Sequence, residues 1–122
     1  VNNQIDDLLS EYAQLPEYSE IACNDPNALS LFGDRPIHVA ATRGDIDEIK
    51  LLLDHGAQIN AKGEHGYTAL HDAVEQGHVA AVRYLLDHGA DPKTVDDAGF
   101  SALNLAENLG EEEIVQVLQL AN

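Results

Sequence analysis

The chain has 122 residues, 44% of them hydrophobic but only 5% aromatic and none of them Trp, so one domain with a core of Leu, Ile, Val and Ala is expected. Six basic against 22 acidic residues give a formal charge of −16, which disfavours nucleic acid and anionic membranes as partners. The longest apolar run, Val79 to Val82, is far below the roughly 20 residues that a membrane-spanning helix needs.

The charge is unevenly placed. Residues 1–32 carry six acids and no Lys or Arg, and so do residues 96–122, while every basic residue lies between. A single Cys23 rules out an internal disulfide and agrees with a reducing, cytoplasmic setting. Val1 in place of Met, with no basic and apolar leader after it, reads as a trimmed or processed start.

In chain order, residues 4–22 are expected to form two capping helices, the first through Ile5, Leu8, Leu9 and Tyr12, the second following Pro16. They precede Asp25-Pro26-Asn27, which lies 33 residues before Gln58-Ile59-Asn60 and 66 before Asp91-Pro92-Lys93. Asn27, Asn60 and Lys93 are therefore equivalent, and an incomplete unit stands ahead of the first full one. Tyr12 and Tyr18 are expected to pack inside this cap.

From Gly33 onward the period is explicit. Gly33, Gly66 and Gly99 are one 33-residue step apart, and Ala40, Ala73 and Ala106, then Gly44, Gly77 and Gly110, then Leu52, Leu85 and Leu118 keep that register. Pro36 suits a first helical turn, and Thr68 and Ser101 can accept from free helix N–H groups, so a helix is expected to start at each. Small Ala40, Ala41 and Ala73 let the first helices of neighbouring units approach closely. Ile49, Leu52, Leu53, Val82, Leu85 and Leu86 recur at helical spacing on the second helices. Glycines 44, 56, 77, 89 and 110 follow the helical stretches as stops.

The strings Gly33-Asp34-Arg35-Pro36-Ile37-His38-Val39-Ala40-Ala41, Gly66-Tyr67-Thr68-Ala69-Leu70-His71-Asp72-Ala73-Val74 and Gly99-Phe100-Ser101-Ala102-Leu103-Asn104-Leu105-Ala106 resemble the ankyrin repeat, over about residues 23–121. The resemblance implies an all-α solenoid of stacked helix-turn-helix units with protruding loop tips. A single domain over 1–122 divides into an N-terminal cap (1–32), two repeats (33–65 and 66–98) and a third repeat acting as C-terminal cap (99–122). Arg35 stands where the family has a capping Thr, a change expected to weaken that turn; Ala69 and Ala102 stand in place of Pro, and Asn104 in place of His. Acidic outer faces on both terminal units would keep the stack soluble.

Repeated Asp-His-Gly strings at 54–56 and 87–89 raise the possibility of a metal or acid/base site. Against it, His55 and His88 are equivalents one unit apart, while packed helices are separated by ~8–10 Å and zinc holds nitrogens at about 2.0–2.1 Å. His38 and His71 match the motif histidine that, in the family, ties neighbouring turns together. No metal, no cofactor, no small-molecule substrate and no catalysis are expected; an enzyme would require a deep pocket converging on His65, His55 or His88.

By the same resemblance, the contact surface is the concave side. Its tip positions are Leu31, Phe32 and Asp34, then Glu64, His65 and Tyr67, then Asp97, Ala98 and Phe100; its helix-face positions are Thr42, Arg43, Glu75, Gln76, Asn108 and Leu109. Aromatic anchors among acids fit a protein partner with a basic surface, although Phe32 and Tyr67 could equally pack between loops. The chain is also similar to small stand-alone bacterial ankyrin proteins, some of which inhibit toxic enzymes, and a basic nuclease would suit so acidic a binder. A fragment of a larger array is a further reading, which the acidic ends oppose.

Overall fold

The computed structural model describes residues 4–19 and 22–121. Among these the chain is all helical: α1 (Gln4–Tyr12), α2 (Pro36–Arg43), α3 (Ile46–Asp54), α4 (Ala69–Glu75), α5 (Val79–Asp87), α6 (Ala102–Leu109) and α7 (Glu112–Ala121), with short 3₁₀ turns at Pro16–Tyr18 and Glu64–Gly66. The helices form two rows. α2, α4 and α6 pack on one another as an inner row, α1, α3, α5 and α7 as an outer row, and each inner helix pairs with the outer helix that follows it.

Helix starts follow from local chemistry. The Thr68 hydroxyl accepts from the His71 N–H while the Thr68 N–H donates to the His71 ring (3.2 Å), and Ser101 with Asn104 repeats the exchange one unit later. At α2 only half of it survives: the Arg35 N–H donates to His38 Nδ1 (2.9 Å), but a guanidinium has no oxygen to return the bond. Asp45 caps α3 by accepting from the Glu48 N–H. Such caps contribute about 1 kcal/mol each.

The small residues do what their size allows. Ala40, Ala41, Ala73 and Ala106 are wholly buried where the inner helices meet, and Ile49, Leu52, Val82, Leu85, Ile114 and Leu118 fill the space between the rows. Gly44 ends α2 at φ 68°, and its neighbour in space leaves no room for a side chain: a Cβ there would lie 2.6 Å from the His78 ring.

The units are also stitched by a ladder. Asn27 donates through Nδ2 to the Gly56 carbonyl (3.0 Å) and accepts from the Gln58 N–H (3.0 Å); Asn60 does the same to Gly89 (3.3 Å) and Asp91 (2.8 Å). His78 closes a third tie, Nε2 to the Thr42 carbonyl at 2.9 Å.

The cap departs from the expected helix pair. α1 forms on the expected apolar face, but the segment after Pro16 makes a single 3₁₀ turn through Tyr18, and residues 20 and 21 lie outside the described residues. Two bonds to the first loop account for the turn: the Tyr18 hydroxyl donates to the Ala28 carbonyl (2.7 Å) and the Leu31 N–H to the Glu17 carbonyl (2.8 Å), which pulls the chain away from a helical path. The repeat register makes α1 the counterpart of α2, yet its helix partner is the outer α3, where buried Tyr12 bonds Glu48 (2.5 Å).

Candidate functional site

Ahead of each inner helix stands a loop tip of one design. The N–H groups of Ser30, Gly63 and Asp96 donate to the carbonyls of Asp34, Tyr67 and Phe100 at 2.7, 2.7 and 2.8 Å, and Gly33, Gly66 and Gly99 turn each corner with positive φ. The side chain at the first position stiffens two of the tips. Ser30 Oγ accepts from the Phe32 and Asp34 N–H groups, and Asp96 Oδ1 from those of Ala98 and Phe100. Gly63 has no side chain to offer, and the preceding tip substitutes: Asp34 Oδ1 accepts from the Glu64 N–H (2.9 Å), while the Asp97 N–H donates to the His65 carbonyl (3.0 Å). The tips are therefore bonded to each other in a row.

That row is held to the inner helices by histidines. His38 Nε2 donates to the Ala61 carbonyl and His71 Nε2 to the Phe100 carbonyl, both at 2.9 Å, with their Nδ1 atoms facing the backbone N–H groups of Arg35 and Thr68. This is the role the motif resemblance implied. Burial lowers the pKa of both rings, so the neutral form that can both donate and accept is favoured. His55 and His88 are likewise engaged, each through Nδ1 with the carbonyl four residues earlier, and His88 stacks on Tyr84.

The candidate contact residues fall into groups. His65, Tyr67, Asp97, Ala98 and Phe100 line one groove of about 480 Å³ between the second and third tips. Asp34, Thr42 and Arg43 line a second, of about 350 Å³, between the cap turn and α2. Leu31 and Phe32 stand clear of both, each 57% exposed, and Glu64, Glu75, Gln76, Asn108 and Leu109 are exposed along the same row. Tyr67 is half-buried: it stacks on His71 at 5.3 Å, and burial, then the nearby Glu75 carboxylate, raises the pKa of its hydroxyl. Its packing role is thus met inside the chain, unlike that of Phe32. Arg43 is turned toward the cap, pairing with Glu11 (3.0 Å) and Glu48 (3.6 Å) over the Tyr12 ring. Tyr12 and Tyr18 are buried, as expected.

Two acids of this side escaped the sequence reading. Asp72, on α4, occupies the register position of Val39 and Leu105, and an oxygen of its carboxylate is sealed from solvent with no hydrogen-bond partner. Burial, then the nearby charges of Asp34, Glu75, Glu17 and Glu64, pushes its pKa up to about 9. Glu17, on the cap turn, is raised by burial and by Asp34. The signal for Asp72 was present in the register, where an acid interrupts an otherwise apolar column. Glu17 gave none, because only the cap's unexpected turn brings it to the tips.

Polar atoms of Asp34, His38 and Asp72 lie within 4.8 Å of one another, which raises the question of a metal. The donor set fits poorly. Both nitrogens of His38 already serve backbone groups, and Asp34 Oδ1 serves the Glu64 N–H. Burial also pushes the Cys23 thiol up to about 11, so it is not a thiolate nucleophile at neutral pH.

A family model described as ankyrin repeats, in three copies, matches residues 3–96. A 58-residue stretch is 41% identical to "NF-kappa-B inhibitor cactus" of Drosophila yakuba and 43% identical to the protein of that name in Drosophila melanogaster. Each match takes in 47% of this chain and 10% of the relative, so the chain spans about a tenth of the length of the curated relatives it matches.

Proposed function

On the premise that this chain belongs to the ankyrin-repeat family, whose repeats are protein-interaction modules, we propose that it is a non-catalytic binding protein that holds a partner with a basic surface against its tip row and inner helices. The observation that carries this reading is the coincidence of two features on one side. Exposed apolar groups, Leu31, Phe32 and Phe100, stand beside the exposed acids Glu64, Glu75 and Asp97. Exposed aromatics in a charged surround are what an interface with a few dominant anchors requires, and a charge of −16 speeds encounter with a cationic surface. A cytoplasmic setting belongs to the same proposal.

An inhibitory role is the second reading, favoured by the relatives' being named inhibitors and by the same acidity, which would suit a basic enzyme as target. The experiment for the main reading is capture from a lysate of the source organism, comparing wild type with a Phe32→Ala, Tyr67→Ala, Phe100→Ala variant. A basic protein retained by the wild type and lost from the variant supports it; equal retention by both contradicts it. Loss of the captured protein's own activity on mixing would establish the inhibitory role.

A further inference from the structure

The groove between the cap turn and α2 combines apolar walls with acids that converge on a buried carboxylate. Leu15 and Val39 supply apolar walls, and Glu17 and Asp34 supply acids at its edge. Asp72 lies directly behind, its carboxylate within 4.8 Å of both Asp34 and the His38 ring. The basic residue lining this groove, Arg43, is held by Glu11 and Glu48 on the cap side. Among the described residues, Glu17 and Asp34 are therefore left without a Lys or Arg partner, beside apolar surface that water solvates poorly.

We infer that this groove seats a lysine or arginine side chain projecting from the protein partner, its charge taken up by Glu17 and Asp34 with Asp72 behind them, and its aliphatic stem lying along Leu15 and Val39. The inference rests on the tip-row reading above and narrows it to one contact. Charge complementarity selects the occupant. A purely apolar anchor would leave the Glu17 and Asp34 carboxylates desolvated with no cation, which is costly, whereas a long basic side chain matches both the walls and the charge. A divalent metal is the poorer fit, because His38 has no free nitrogen to give it.

The occupant also has a signature. Burial, with the nearby acids adding to it, favours protonated Asp72, and a cation set beside it favours ionisation, so occupancy lowers its titration midpoint. A merely structural role for these acids would not produce that effect.

The test uses N-acetyl-arginine methylamide as probe and its uncharged citrulline counterpart as control, titrated into the isotope-labelled full chain and followed by NMR at backbone amides and side-chain carboxyls. The expected result is saturable binding in the millimolar range, with shifts at Leu15, Val39 and the carboxyls of Glu17, Asp34 and Asp72, and a downward move of the Asp72 midpoint. The Glu17→Gln and Asp72→Asn variants, both near-isosteric and checked for fold by circular dichroism, should weaken binding about tenfold or more. Shifts spread evenly over surface acids, equal shifts with the citrulline control, or indifference to both variants would overturn the inference. Zinc or calcium moving these carboxyls where the arginine probe does not would overturn it in favour of a metal. The two readings fail separately: partner capture lost from the triple alanine variant but kept by Glu17→Gln and Asp72→Asn would sink this contact and leave the tip-row reading intact.

Discussion

His71 connects the start of an inner helix to the exposed aromatic of the next tip: its ring faces the Thr68 N–H through Nδ1 and donates through Nε2 to the carbonyl of Phe100, 29 residues on. One buried imidazole thus closes a helix turn and fixes an exposed aromatic. His38 works on the equivalent turn but reaches Ala61, ahead of its neighbouring tip, so Tyr67 is positioned by stacking on His71 instead.

Replacing His71 by Ala should therefore cost both stability and binding. Two or three bonds to buried groups are lost and a cavity opens, an expected destabilisation of roughly 2–4 kcal/mol in urea unfolding. Amide exchange at Asp96 to Phe100 should quicken more than at Ser30 to Asp34. Equal change at both tips would show that the histidine acts through global stability alone.

Gly44→Ala should be worse than Gly110→Ala, although both residues end an inner helix with φ near 70°. The left-handed conformation costs either alanine about 1 kcal/mol. Only at Gly44 does the new methyl group meet a ring, that of His78, whereas nothing lies within 4 Å at Gly110. Chemical denaturation of the two variants measures the difference, and equal losses would mean that the His78 ring moves aside freely.

Most of this architecture was readable beforehand. A strict 33-residue register, helix-starting Thr68 and Ser101, and the alanines of the inner row each state a local requirement that the fold then meets, so helices α2 to α7 fall where patterning places them. What escaped depends on contacts between segments distant in the chain. The turn after Pro16 follows from bonds to Ala28 and Leu31, not from propensity. Glu17 joins the tips only through that turn. Arg43, placed by register on the contact face, is diverted by Glu11 and Tyr12 of the cap.

Asp72 should give the stability a pH slope of recognisable sign. Its folded pKa, about 9, lies above the ordinary aspartate value near 3.9, so between these limits the folded state holds a proton that the unfolded chain has released. That contribution is complete at acidic pH and is lost as pH rises toward 9. His38 and His71, with lowered pKa values, act oppositely, but only below about pH 6.5, where the unfolded chain takes up protons. From pH 6.5 to 8.5 the wild type should lose stability and Asp72→Asn should not. Relieving the folded chain of the cost of keeping that proton should leave the variant roughly 1–3 kcal/mol more stable at the upper end. Parallel profiles for the two proteins would contradict this assignment.

The asparagine ladder predicts where uncoupling occurs. Asn60→Ala removes the bonds to Gly89 and Asp91, a loss of about 1–2 kcal/mol. In a stack whose units touch only their neighbours, faster exchange should be confined to the segment beyond the break, with α6 and α7 opening before α2. Uniform quickening along the chain would show one indivisible cooperative unit.

The central claim is that the tips and inner helices, rather than the outer helices, receive a protein partner. Hydrogen–deuterium exchange of the complex with the captured protein tests it most directly. Protection is expected at the tips, residues 30–34, 63–67 and 96–100, and along the exposed faces of α2 and α4; protection confined to α3, α5 and α7 would contradict the account.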